Sequence, residues 1–198
     1  YGGDFKNAGK KNWNTKQQVS YWFSKYNLDF WLKKGYTKKD LFSYSAPSEK
    51  ELKKAKVQRV FWDFYHKWSK QKHYYYAQDK VDFTPNEDRS EGTYSKYASL
   101  DDKFDGFHYY LGYVKFGIGR TTSDTAHEIR DGKIEREEGI ELIRRYDGEF
   151  PRKYLGEFLE YCDISKEELT EIIDSWRSPH IWDQHQDGKW FLKQPIWE

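Results

Sequence analysis

The residues of this chain best suited to chemistry lie between Lys115 and Arg130. Lys115-Phe116-Gly117-Ile118-Gly119-Arg120-Thr121-Thr122-Ser123-Asp124 sets two glycines and an arginine where one helical pattern stops and another starts. A helix N-terminus presents unpaired N–H groups and partial positive charge, so it suits a phosphate or carboxylate. The elbow is therefore read as an anion-binding site. Its candidate substrate-binding residues are Lys115, Gly117, Gly119, Arg120, Asp124 and Arg130. A structural reading stands beside it: Arg120 caps the preceding helix, and Asp124, a favoured N-cap type, opens a helix starting at Ser123 or Asp124.

Other chemistry is sparse. None of the six histidines falls in an HExxH frame, and neither a Walker A loop nor a G-x-S-x-G nucleophile motif is present. His127-Glu128 is the one His–carboxylate neighbour pair in the suspect segment. The single cysteine, Cys162, excludes an internal disulfide and a cysteine-cluster metal site, and its place at the end of an apolar helix face predicts burial. No metal site and no specific catalytic residue is expected from the residues alone.

The elements that must hold the elbow follow from pattern. Thr15-x-x-Gln18 followed by Val19, Trp22, Phe23 and Tyr26 predicts an amphipathic helix. Short helices are expected after Thr37-x-x-Asp40 and Ser48-x-x-Glu51, a strand over the β-branched and aromatic residues 57–65, and a helix over 66–78. Residues 82–99 read as a long loop and hinge. Beyond residue 100 helices are expected at 104–116, with Phe104, Phe107, His108 and Leu111 on one face and Gly117 ending it, then at 123–131 and 135–146. Two more are opened by Pro151 and by Ser165-x-x-Glu168, the last carrying Leu169, Ile172, Ile173 and Trp176. The tail 180–198 reads as Trp-rich and irregular.

Composition narrows the function classes. With 34 basic and 33 acidic residues among 198, the chain lacks the basic excess of a general nucleic-acid binder. No run approaches the roughly 18 apolar residues of a membrane helix. These features fit a reducing, cytoplasmic setting. Aromatics make up 20% of the chain, so the core must be built largely from rings with polar tips. The chain has no Met and opens at Tyr1-Gly2-Gly3-Asp4, which reads as a fragment or a cut product.

A set of stretches in fixed order resembles the C-terminal part of the N-acetyl sugar amidotransferase family of lipopolysaccharide and flagellar-glycan biosynthesis. They are SLDD (99–102), HYYL (108–111), KFGIGRTTSD (115–124), HEIRDG (127–132), REEG (136–139), RRYDGEFP (144–151), FLEY (158–161) and SWRSPHIW (175–182). Residues 15–80 resemble the family more loosely, in element order. Tyr1, Gly2 and Gly3 resemble a family stretch, which implies a nucleotide-binding role for them.

The resemblance implies an enzyme of the PP-loop ATP pyrophosphatase superfamily. It would turn a sugar acetamido group into an acetamidino group, with ATP and Mg as cofactors and ammonia from a glutaminase partner. The substrate would be a nucleotide sugar or a nonulosonic acid such as pseudaminic acid, with no nucleic acid and no membrane insertion. The family's Ser-Gly-Gly-x-Asp-Ser phosphate loop is absent here, so the fragment alone is expected to be inactive. The fold class implied is α/β, mainly helical in this fragment. Residues 1–81 would finish a PP-loop domain, 82–99 would form a hinge, 100–180 a helical region and 181–198 a Trp-rich tail. The Gly119-Arg120 elbow would face the sugar or its phosphates. The competing reading is a non-catalytic carbohydrate-binding or protein-docking module using Trp182, Trp190 and Trp197.

Overall fold

The computed structural model describes residues 26–58 and 60–198. The chain divides into two compact units, Tyr1–Trp68 and Ser69–Glu198. The expected helix after Thr15, and Tyr1, Gly2 and Gly3, lie outside the described residues.

In the first unit, α1 (Leu28–Lys33) is capped by the Asn27 side chain, and α2 (Glu49–Lys54) by a complete Ser48–Glu51 capping box. The Thr37–Asp40 box forms its hydrogen bonds but closes only a turn, followed by a 3₁₀ turn at Phe42–Tyr44. Of the strand expected at 57–65, the described residues keep a single bridge position, Val60, followed by a 3₁₀ turn at Trp62–Phe64. A strand needs a neighbour to complete its ladder, and a β-rich composition does not supply one. Leu41 is the buried large apolar residue among the described part of this unit, while Phe42, Tyr44 and Trp62 are exposed.

The second unit is helical. It comprises α3 (Lys70–Val81), α4 (Asp105–Phe116), α5 (Arg120–Arg130), α6 (Arg136–Tyr146), α7 (Leu155–Cys162) and α8 (Lys166–Ser175). A short antiparallel hairpin follows, β1 (Trp182–Gln184) on β2 (Trp190–Leu192), in the register Trp182↔Leu192. The described residues are thus mainly helical with a two-stranded sheet, and the α/β sheet layer implied by the resemblance is not seen among them.

The core joins α4, α7 and α8. Phe107, Val114, Leu169 and Ile173 are buried, and Phe104, Leu111, Phe150 and Phe158 pack around them. Phe107 stacks on Phe158 at 3.8 Å between ring centroids. His108, expected on this face, is exposed, as are Ile172 and Trp176 of α8. Cys162 is exposed, contrary to the expected burial: α7 ends there, and Ile164, two residues on, packs against the core instead. Pro151 does not open α7. The Glu91 carboxylate accepts from the N–H groups of Arg152 and Lys153, which fixes a turn before the helix begins at Leu155.

The tail is ordered rather than irregular. Trp182 is buried, and its indole N–H donates to the Val114 carbonyl at 2.6 Å, satisfying an acceptor at the end of α4. The Arg177 guanidinium lies 4.5 Å from the Trp182 ring and 5.4 Å from the Trp190 ring. Among the described residues no helix is long and apolar enough to cross a membrane.

Candidate functional site

Helix α5 buries a polar face, an unusual use of a helix in a core. Thr121, Asp124, Thr125 and Glu128 recur at i, i+3 and i+4 and are all buried. Burying them costs free energy unless each finds partners, and their partners define the site. Asp124 accepts from Lys70 Nζ at 2.8 Å, from Thr93 Oγ1 at 2.8 Å, and from Arg120 Nε at 3.0 Å to both oxygens. It is therefore not the helix N-cap expected from sequence but a buried acceptor one turn inside the helix.

A relay runs on from this carboxylate. Arg120 Nη1 donates to the Tyr109 hydroxyl at 3.1 Å, with the guanidinium 5.0 Å from the Tyr109 ring centroid. Tyr109 is hydrogen-bonded to Ser99 Oγ, and Ser99 Oγ to the Asp105 carboxylate. Ser99 spends its one hydroxyl proton on Asp105, so the donor order is fixed: the guanidinium donates to Tyr109, Tyr109 to Ser99, and Ser99 to Asp105. Ser99 holds a left-handed backbone, φ 55°, a conformation costly outside glycine and kept in place here by its two partners.

The helix starts at Arg120 rather than at Ser123 or Asp124, because its cap comes from far along the chain. Asp147 accepts from the N–H of Gly119 at 3.0 Å, Thr121 at 2.8 Å and Thr122 at 3.3 Å, and also from the Thr122 hydroxyl. The anion predicted at this elbow is thus present in the protein's own structure. A Cβ on Gly119 would lie 2.5 Å from an Asp147 oxygen, so glycine is what lets the carboxylate approach. Burial raises the Asp147 carboxyl pKa above 3.8, against the pull of the bonds from Thr122, Gly119 and Thr121.

The other predicted residues divide between two ends. Gly117 ends α4 at φ 72°, where an added Cβ would meet Ile181. Lys115 is exposed on the last turn of α4, beside its neighbour Phe116. Arg130 stands ten residues beyond Arg120, about 15 Å along the axis, and meets His127 Nδ1 at 2.8 Å. Burial, then Lys70 and Arg130, lowers the His127 pKa. Arg120 and Asp124 are therefore brought together, and Arg130 is not part of their cluster.

Sequence reasoning missed Lys70, Thr93, Ser99, Asp105, Tyr109 and Asp147. Lys133 Nζ also reaches Ser69 Oγ at 3.0 Å. Glu128 is pushed up by burial, and Tyr97 is pushed up to about 12, chiefly by burial. The Tyr94 hydroxyl is fully enclosed, and its pKa is raised first by burial and then by the Glu128 charge. Among the described residues no group of three or more His, Cys, Asp or Glu could hold a metal ion.

A polar groove lies at the far end of the relay. Asn86, Asp88, Ser99, Asp102, Asp105 and Tyr154 are among its lining residues. Its wall is tied across 60 residues by Arg89, which grips Glu149 with two bonds of 2.7 and 2.6 Å. The Arg89 hydrogen bonds hold the Glu149 carboxyl below its ordinary 4.5. A depressed carboxyl stabilises the fold above its unfolded value, and that contribution is lost as pH falls through the folded value. Glu149→Gln should therefore cost about 1 kcal/mol near neutrality, discounted for exposure, and the difference should vanish in acid. Urea unfolding of both proteins across pH checks this.

Residues 91–195 of the 198 match a family model described as LPS biosynthesis protein WbpG-like, C-terminal domain. No curated protein matches the chain. The matched stretch takes in Tyr109, Arg120, Asp124 and Asp147, with the groove residues Ser99, Asp105 and Tyr154. It spans more than half of the chain, which belongs to the family of WbpG-like lipopolysaccharide biosynthesis proteins through their C-terminal domain.

Proposed function

We propose that this chain is the C-terminal part of an ATP-dependent N-acetyl sugar amidotransferase acting in surface polysaccharide biosynthesis. The observation that carries the proposal is convergence. Ser99, Tyr109, Arg120, Asp124 and Asp147 come from four of the sequence stretches that resemble the amidotransferases, and they form two joined hydrogen-bond clusters around the start of α5. Stretches apart in the sequence thus meet in one hydrogen-bonded cluster, in a chain of a lipopolysaccharide-biosynthesis family, which supports this reading.

In the proposed reaction the acetamido oxygen attacks the α-phosphorus of ATP and pyrophosphate leaves. Ammonia then adds to the activated carbon and AMP departs with the former amide oxygen, leaving an acetamidino group. Activation is required because an amide oxygen is a poor leaving group. Ammonia would come from a glutaminase partner. The described residues offer no group of three or more His, Cys, Asp or Glu placed to hold a metal ion, and Asp147 fills the N-terminus of α5. The resemblance assigns ATP mainly to the family's phosphate loop, a motif this sequence lacks, and the role proposed for the described residues is to hold the sugar. The 198-residue chain alone should not consume ATP.

The test is reconstitution. A polypeptide carrying both the phosphate loop and this chain is incubated with ATP, ammonium ion and N-acetylated nucleotide sugars or nonulosonic acids. The proposal expects AMP and pyrophosphate in equal amounts, with product in which an amide oxygen is replaced by NH. ATP turnover with an unmodified sugar would contradict it.

A further inference from the structure

We propose that the groove formed by the 86–91 loop, the start of α4 and the 153–154 turn is the subsite for the pyranose ring of an N-acetylated sugar. The inference rests on the sugar-modifying reading but not on the amidotransfer chemistry.

A pyranose has hydroxyls that donate and accept around its edge and C–H groups on its faces. It suits fixed carboxylates and amides beside an aromatic ring. The groove has this composition. Asp88, Asp102 and Asp105 supply acceptors, Asn86 an amide, and Tyr154 a ring. Asp102 accepts from the Phe104 N–H at 2.8 Å and Asp88 from Lys153 Nζ at 3.3 Å. A carboxylate has about four lone-pair positions, so each retains capacity for hydroxyl donors.

The walls are held before any ligand arrives. Glu91 accepts from the Arg152 and Lys153 N–H groups at 2.7 and 3.2 Å, fixing the turn that bears Tyr154. Ser99 and Asp105 are held through Tyr109 by Arg120. Fixed groups lose little entropy on binding. In this view Arg120 and Tyr109 are positioning residues for the groove.

Charge selects the sugar over its phosphates. Asp88, Glu91, Asp102 and Asp105 line the groove beside Arg89, Lys103 and Lys153, and each of these cations already has a carboxylate partner: Glu149 for Arg89, Glu157 for Lys103 and Asp88 for Lys153. A diphosphate would find these cations already paired and the Glu91, Asp102 and Asp105 carboxylates nearby, an electrostatic cost that an uncharged ring does not meet.

Saturation-transfer NMR on the 198-residue chain tests the assignment. The probes are N-acetylglucosamine, N-acetylgalactosamine and N-acetylmannosamine, UDP-N-acetylglucosamine, and UDP alone. Expected is saturation of sugar-ring protons in at least one N-acetylhexosamine, little in UDP, and at least tenfold weaker binding in Tyr154→Ala. Asn86→Ala, at an exposed loop position, should weaken binding without loss of fold. The proposal is overturned if no sugar is saturated, if UDP competes for the signal, or if both folded variants bind as the parent does. Sugar binding without turnover in the complete protein would leave the subsite standing and refute the amidotransfer reading. Turnover indifferent to both variants would do the reverse.

Discussion

Replacing Asp124 by alanine should lower the free energy of unfolding by about 3–5 kcal/mol, the cost of breaking a buried ion pair from one side. The carboxylate is 7% exposed and answers two cations, Lys70 and Arg120, whose side chains are 26% and 15% exposed. Its loss leaves both charges without this partner, and leaves the fully buried Thr93 hydroxyl without its acceptor. Asp124→Asn keeps the shape and one acceptor oxygen, so it should fall between parent and alanine variant. Urea unfolding of the three proteins is the measurement. A loss below about 1 kcal/mol for the alanine variant would mean that Lys70 and Arg120 reach water when the carboxylate is gone.

Removal of the Asp147 side chain should cost about 3 kcal/mol, because the cap of α5 and its buried donors fail together. Gly119, Thr121 and Thr122 would lose the acceptor of their N–H groups, and Thr122 that of its hydroxyl. Asp147→Asn should recover part of this. One oxygen still serves Thr121 and Thr122, but an NH₂ group facing Gly119 cannot accept. The pH dependence has a definite sign. Burial raises the folded pKa above 3.8, so the native state holds the proton more tightly than the unfolded chain. The contribution of Asp147 is full below 3.8 and declines as pH rises through the folded value. The gap between parent and Asp147→Ala should therefore be wider in acid than near neutrality.

Local chemistry was legible in the sequence. The Ser48–Glu51 and Ser165–Glu168 boxes cap α2 and α8 as expected, because both partners lie within one helical turn. Gly117 ends α4 for an equally local reason. The start of α5 was not legible, since its cap, Asp147, follows Gly119 by 28 residues and no pattern joins them. The turn before α7 was hidden likewise by Glu91, 61 residues from Arg152. The tail hairpin did carry a signal, Asp187-Gly188, with Gly188 at φ 82°. Its strands are too short to show alternation.

The candidate site was half legible. Glycines, arginine and a helix start marked a place that suits an anion, and in the structure the protein's own Asp147 carboxylate occupies it. Tyr109 and Thr93 gave no warning: in an aromatic-rich chain one tyrosine looks like another, and a buried threonine shows its purpose only through its partner.

The proposed reaction activates the acetamido oxygen by adenylation. It is tested most directly by isotope. An N-acetyl sugar labelled with ¹⁸O in the acetamido carbonyl is turned over by the complete protein with ATP and ammonia, and the released AMP is weighed by mass spectrometry. One ¹⁸O in AMP is expected for each acetamidino group formed. AMP without the label, beside a modified sugar, would contradict it.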